Sequence, residues 1–245
     1  MSDPTYGFDT LQIHAGARPD PATGARQTPI YQTTAYVFRD ADHAAALFNL
    51  QEVGYIYSRL TNPTVAVLQE RIATLEGGVG AVCCSSGHAA QIMALFPLMG
   101  PGKNIIASTR LYGGTVTQFS HTIKRFGWEC KFVDFDDLDA VKAAVDDNTR
   151  AIFGEAIANP GGYIMDVRAI ADIADAAEIP LIIDNTTATP YLCRPIEHGA
   201  TGLPMTNSPR SARRNRRITG LSFTRPSVTS PSPSTALPSV CAIWA

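Results

Sequence analysis

From residue 62 onward the chain alternates between two apolar rhythms. Asn62-Pro63 opens a segment in which Val65, Leu68, Ile72 and Leu75 recur at helical spacing before Gly77-Gly78. A Pro at the first helical position and a Gly just past the end are natural helix punctuation. Short continuous apolar runs then alternate with longer amphipathic stretches. The runs at 81–84, 104–107, 130–133, 151–154 and 181–183 predict strands. The stretches at 89–99, 115–126, 138–145 and 167–177 predict helices, the last stopping before Pro180. Short strands separated by helices predict βαβ units on a parallel sheet. Residues 1–60 break the rhythm with Pro19, Pro21, Gly24 and Pro29, and only 40–50 predicts a helix there. They predict an N-terminal arm ahead of a domain over 61–200.

A third regime starts at residue 201. Residues 1–200 hold all 22 acidic residues against 14 basic ones, a net of −8. Residues 201–245 hold six Arg, no Lys and no acid, and are crowded with Ser, Thr and Pro. Such a change marks a boundary and predicts an aberrant basic tail, disordered or translated out of frame. A genuine tail for an acidic partner is the alternative. The overall net charge of −2 gives no reason to expect nucleic acid. No apolar run reaches membrane-spanning length, and the first residues lack the charged and apolar regions of a signal peptide. The five cysteines form no CxxC pair and the five histidines no ligand spacing. Both facts point to reduced thiols in a cytoplasmic protein without a metal.

Ligands of open parallel sheets sit at the carboxyl ends of the strands, so the residues just beyond each apolar run are the candidates. Ser85-Ser86-Gly87-His88-Ala89-Ala90 joins a strand to a helix. The backbone N–H groups of Gly87 and His88 can hold a phosphate there, or the serines simply cap the helix. Tyr112 in Tyr112-Gly113-Gly114-Thr115 can stack on a planar cofactor or decorate a surface turn. Asn159 in Asn159-Pro160-Gly161 can donate to a phenolate oxygen or belong to an ordinary turn. Asp184 ends a buried strand, where a carboxylate needs a positive partner such as a protonated pyridine nitrogen. A helix cap or a metal ligand fits Asp184 equally. Tyr57 and Arg59 share a face of extended chain, and Arg suits a phosphate; as an exposed pair they need no ligand.

The order of these signals is more specific than any one of them. Tyr57-Ser58-Arg59, Asn62-Pro63-Thr64, Ser86-Gly87, Tyr112-Gly113-Gly114-Thr115, Asn159-Pro160-Gly161 and Asp184-Asn185-Thr186 together resemble the Cys/Met-metabolism family of pyridoxal-phosphate (PLP) enzymes. The similarity runs from Gly7 to Ala200. Within the family, the segments at 8–16, 86–91 and 196–200 are most similar to the O-acetylhomoserine sulfhydrylases.

The resemblance implies an α/β fold: the large domain of a PLP-dependent transferase of the aspartate-aminotransferase-like type (fold type I). That is a mostly parallel sheet with flanking helices, here truncated. It implies PLP as cofactor, with Gly87 and His88 on its phosphate, Tyr112 stacked on the ring as a catalytic candidate, Asp184 on the ring nitrogen and Asn159 at the phenolic oxygen. Tyr57 and Arg59 would reach the phosphate in a neighbouring subunit of a homo-oligomer. The implied reaction is displacement of acetate from O-acetyl-L-homoserine by sulfide or a thiol, giving homocysteine or methionine. Cystathionine γ-synthase, cystathionine γ-lyase and methionine γ-lyase share the cofactor residues and stay open as alternatives. So does a non-catalytic cofactor-binding remnant. A dinucleotide-binding reading has no G-x-G-x-x-G after the first strand to support it.

One departure is large. The family's Schiff-base lysine, in a Ser-x-Thr-Lys stretch, is expected near position 209, where the chain reads Thr206-Asn207-Ser208-Pro209. The only lysines are Lys103, Lys124, Lys131 and Lys142, and Arg does not give up its proton to replace one. The family's C-terminal domain is missing as well. The chain is therefore expected to be catalytically dead, to leave apolar surface uncovered and to dissolve poorly. A frame shift near codon 201 is the expected cause.

Overall fold

The computed structural model describes residues 6–201 and the backbone of 243–244. The arm carries α1 (Phe8–His14) and α2 (Ala41–Phe48). Its return to the domain is fixed at Asn62, whose Nδ2 donates to the Tyr31 carbonyl at 2.9 Å and to Ser58 Oγ at 3.0 Å. The same side chain caps α3 (Pro63–Glu76) by accepting the Thr64 N–H at 2.9 Å. Gly77 ends that helix in the left-handed region, at φ +76°, where a side chain would be strained.

The domain then runs β1 (Val82–Cys83), α4 (Gly87–Leu95), β2 (Asn104–Ser108), α5 (Gly113–Thr117), β3 (Glu129–Val133), α6 (Leu138–Ala144), β4 (Thr149–Glu155), α7 (Val167–Ala176) and β5 (Leu181–Asp184). A short α8 (Thr189–Leu192) follows. Four strands form one sheet in the order β3-β2-β4-β5, every neighbouring pair parallel. Period-two alternation sends the two faces of this sheet into two cores. Ile106, Ile152 and Leu181 pack with Val141 of α6 and Ile170 of α7. Ile105, Ala107, Ala151 and Phe153 pack with Leu95 of α4 and with Phe119. Helices therefore cover both faces, and the run-and-stretch pattern of the sequence follows from strands buried on two sides.

Three details differ from expectation. The helix expected over 115–126 is α-helical only to Thr117; a π turn (Gln118–Thr122) and a 3₁₀ turn (Ile123–Phe126) complete it. Segments of five and four residues are too short for the different periods of these windings to show in apolar spacing. The helix expected over 89–99 starts earlier, at Gly87, where Ser86 Oγ accepts the Ala89 N–H at 3.2 Å, and stops at Leu95. The strand expected at 81–84 does form, but it stands off the four-stranded sheet. It pairs parallel with β6 (Ile243–Trp244), Val82 opposite Ile243. The expectations for the rest of the tail, and the Thr206–Pro209 stretch, lie outside the described residues. No helix among the described residues is long and apolar enough to cross a membrane.

Candidate functional site

The two cores fix which way the strand ends point. Phe153 of β4 faces α4 and the turns after α5, and Glu155, two residues on, keeps that side. Ile182 of β5 packs on the same core, so Asp184 shares the side as well. Register agrees: Glu155 stands directly opposite Asp184 on the neighbouring strand. Two carboxylates thus project together from the carboxyl ends of β4 and β5.

Glu155 is almost fully enclosed, at 6% exposure. Its two oxygens are divided between two loops. Oε1 accepts the Tyr112 N–H at 2.7 Å and Oε2 accepts the Asn159 N–H at 3.0 Å. Burial pushes the Glu155 carboxyl up from its usual range and the neighbouring Asp184 charge adds to this, while the two N–H bonds oppose it. Asp184 is partly exposed and its Oδ1 accepts the Thr186 N–H at 3.0 Å. Among the described residues its second oxygen accepts no hydrogen bond.

Tyr112 caps α5, and its half-exposed ring lies along the His88 ring, 6.2 Å between centroids and 29° apart. Gly114 makes room for this: a Cβ there would fall 2.6 Å from Tyr112 Cε1 and 2.8 Å from the His88 ring. Beneath the rings, Gln91 donates to Thr115 Oγ1 at 2.9 Å, and Gln118 Nε2 donates to Gln91 Oε1 at 2.9 Å and to the His88 carbonyl at 3.2 Å. These buried amides tie the first turn of α4 to α5. Asp184, Glu155, Tyr112, His88 and Gly87 form one connected series on one side of the sheet. Asn159 joins it through its backbone.

Tyr57 and Arg59 stand elsewhere, on the arm. Tyr57 bridges to Ala35, and the Arg59 guanidinium lies 5.0 Å above the Tyr57 ring. Among the described residues no hydrogen bond or ion pair joins either to the strand-end series. The strand expected over 151–154 stopped one residue short of Glu155, which sequence reasoning did not single out, and the Gln91–Gln118 pair was missed as well. A carboxylate closing a run as apolar as Ala151–Gly154 was the available signal, since such a group must find donors.

An anion and a planar cation-bearing ring fit this arrangement. α4 packs on the face of the sheet that Asp184 shares, and among the described residues the Gly87 and His88 N–H groups that open the helix carry no hydrogen bond, as a phosphate site requires. A lysine for covalent attachment does not fit. Lys103 precedes β2 and donates to Asn148 at 2.9 Å, and Lys131 of β3 donates to Asp146 at 2.6 Å, both at the amino end of the sheet. Lys142 pairs with Asp139 on α6, and Lys124 lies in the 3₁₀ turn. Among the described residues no cluster of three or more His, Cys, Asp or Glu could hold a metal.

Residues 9–201 match the family described as Cys/Met metabolism PLP-dependent enzymes. The chain belongs to that family. Among relatives of this Cys/Met-metabolism chain, an O-acetyl-L-homoserine sulfhydrylase of Corynebacterium glutamicum is 52% identical over 196 residues. A homocysteine synthase of Schizosaccharomyces pombe is 51% identical over 194 residues. They cover 80% and 79% of the chain, which spans only 45% of each of them. A crystal structure from Campylobacter jejuni, of a proposed O-acetylhomoserine (thiol)-lyase with a pyridoxyl-lysine 5′-monophosphate, superposes with a TM-score of 0.77 at 46% identity. It covers 80% of this chain and 48% of that one. Cystathionine γ-lyase of Lactobacillus plantarum, complexed with L-serine, gives 0.72 at 38% identity, with 80% and 49% covered. The PLP-dependent fold and family expected from the motifs are those found. The sulfhydrylase and the synthase are about half identical to the chain, the cystathionine γ-lyase 38%.

Proposed function

We propose that this chain is the cofactor-holding portion of an enzyme that replaces the acetyl group of O-acetyl-L-homoserine with sulfide or a thiol. The observation that supports it is the shared side of Asp184 and the α4 N-terminus, linked through Tyr112 and Glu155. On this reading the Gly87 and His88 amides hold the phosphate, Tyr112 covers the ring, Asp184 meets the ring nitrogen and Asn159 faces the phenolic oxygen. PLP supplies an electron sink when bound. The chain's own residues bind and orient it; no step is carried further, because no lysine stands at this end of the sheet. Tyr57 and Arg59, held together on the arm, serve a neighbouring subunit. The four free cysteines among the described residues accord with a cytoplasmic setting. Residues 1–60 act as an arm, 61–200 as the cofactor domain, and the segment after 200 as an out-of-frame tail.

Borohydride reduction after addition of PLP tests this. Cofactor should be retained on dialysis yet remain unfixed by the reductant, and a stable adduct at Lys103, Lys124, Lys131 or Lys142 would overturn the assignment. The gene sequence tests the tail: a one-base shift after codon 200 should restore Ser-x-Thr-Lys. Assays of that repaired protein with O-acetylhomoserine, cystathionine and methionine in parallel test the substrate.

A further inference from the structure

We propose that Glu155 is a positioning residue that sets the distance between the Tyr112 loop and the Asn159 loop, and so the width of the slot a pyridine ring must enter. This rests on the cofactor reading above and extends it to a residue outside the motif.

A carboxylate can do what other side chains cannot. It is acceptor-only and has two oxygens, so it can take one N–H from each of two separate loops. Glu155 does so at 2.7 Å and 3.0 Å. The loops come from different places in the chain: Tyr112 follows β2, and Asn159 follows β4 itself. Their ring-facing groups, the Tyr112 phenol and the Asn159 amide, are not bonded to Glu155; only their backbones are. The carboxylate therefore fixes where each loop starts and leaves both side chains free for a ligand. Its enclosure makes the arrangement stiff, because a buried acceptor with two donors loses much if either departs. Asp184, opposite in register, then looks across the same slot. Burial and the Asp184 charge both work against ionised Glu155. A cationic ring nitrogen beside Asp184 would relieve the second of these, so ligand entry and the loop clamp should strengthen one another.

Pyridoxamine 5′-phosphate is the probe, since its amine cannot condense with lysines. In Glu155→Gln one oxygen remains, while the new NH₂ opposes the second backbone N–H. Affinity should fall roughly tenfold or more, and hydrogen exchange should quicken at Tyr112 or Asn159. Val141→Ala, a cavity in the opposite core, should lower stability without that loss of affinity. Glu155→Gln binding within about twofold of the unaltered chain, or equal loss in Val141→Ala, overturns the proposal. Should Glu155→Gln fail to fold, the unaltered chain still decides. Adding the probe should slow exchange at the Tyr112 and Asn159 amides by the same factor, and slowing at only one overturns it. A folded chain that takes up no probe defeats the cofactor reading and this one together; uptake unaffected by Glu155→Gln defeats this one alone.

Discussion

Phe119 and Phe153 meet edge to face, with centroids 4.9 Å apart and planes at 88°, and both are fully enclosed. Phe153 belongs to β4 and Phe119 to the π turn that continues α5, so this contact holds the element capped by Tyr112 onto the sheet. Replacing either by Leu removes part of a ring and leaves an imperfect fill, costing about 1–2 kcal/mol each. The edge-to-face geometry adds about 1 kcal/mol beyond burial. Each single change forfeits that term, so Phe119→Leu with Phe153→Leu should cost about 1 kcal/mol less than the separate losses combined. Against a total stability of about 5–15 kcal/mol for a domain, urea unfolding resolves this, provided the denaturant slope is constant across the four proteins. Losses additive within about 0.3 kcal/mol would mean that the rings only fill space and do not attract one another edge to face.

Gly87 sits at the first position of α4, where a missing N–H is tolerated, and Ser86 ahead of it is already extended. Gly87→Pro should therefore leave the melting temperature near its starting value and weaken pyridoxamine phosphate binding roughly tenfold; unchanged affinity would remove Gly87 from the phosphate site. Glu76 is buried at 4% exposure and accepts from Asn185 Nδ2 at 3.1 Å, while Asn185 Oδ1 has no partner among the described residues. Burial pushes the Glu76 carboxyl up, so the folded chain holds that proton more tightly and loses stability as pH rises from the unfolded carboxylate range through the raised value. Glu76→Gln should flatten that slope and add about 1 kcal/mol at neutral pH, and a less stable variant at pH 7 would contradict it. Asp146 is held below the usual carboxylate range, first by Lys131 and then by Asn104. Its contribution is present above the unfolded carboxylate pKa and fades as pH falls below it; Asp146→Asn should shrink the difference between neutral and acid melting temperatures.

The strand–helix order was legible because both faces of β2 and β4 are buried, which writes each strand as an unbroken apolar run. Asp184 stood out as a charge ending an apolar run, although β5 is buried only at Leu181 and partly exposed from Ile182 to Asp184. The windings after Thr117 were not, since about one turn of each is too short for its period to show in apolar spacing. Nor was the separation of β1 from the sheet, because strand pairing depends on segments far away in sequence. The role of Glu155 was hidden because its partners are backbone groups, which look alike at every residue.

β5 ends the strand order, so among the described residues only its β4 side carries a strand. Thr201 Oγ1 takes the Leu181 N–H at 3.0 Å, guarding one group of that flank. Among the described residues no strand meets the other outward N–H and C=O groups of β5, and an edge of that kind can take up an extended segment by backbone contacts. Recruitment of that kind ignores side-chain identity and grows with crowding. The fraction of chains that stay single would then fall with concentration, however firmly the strands behind β5 are packed.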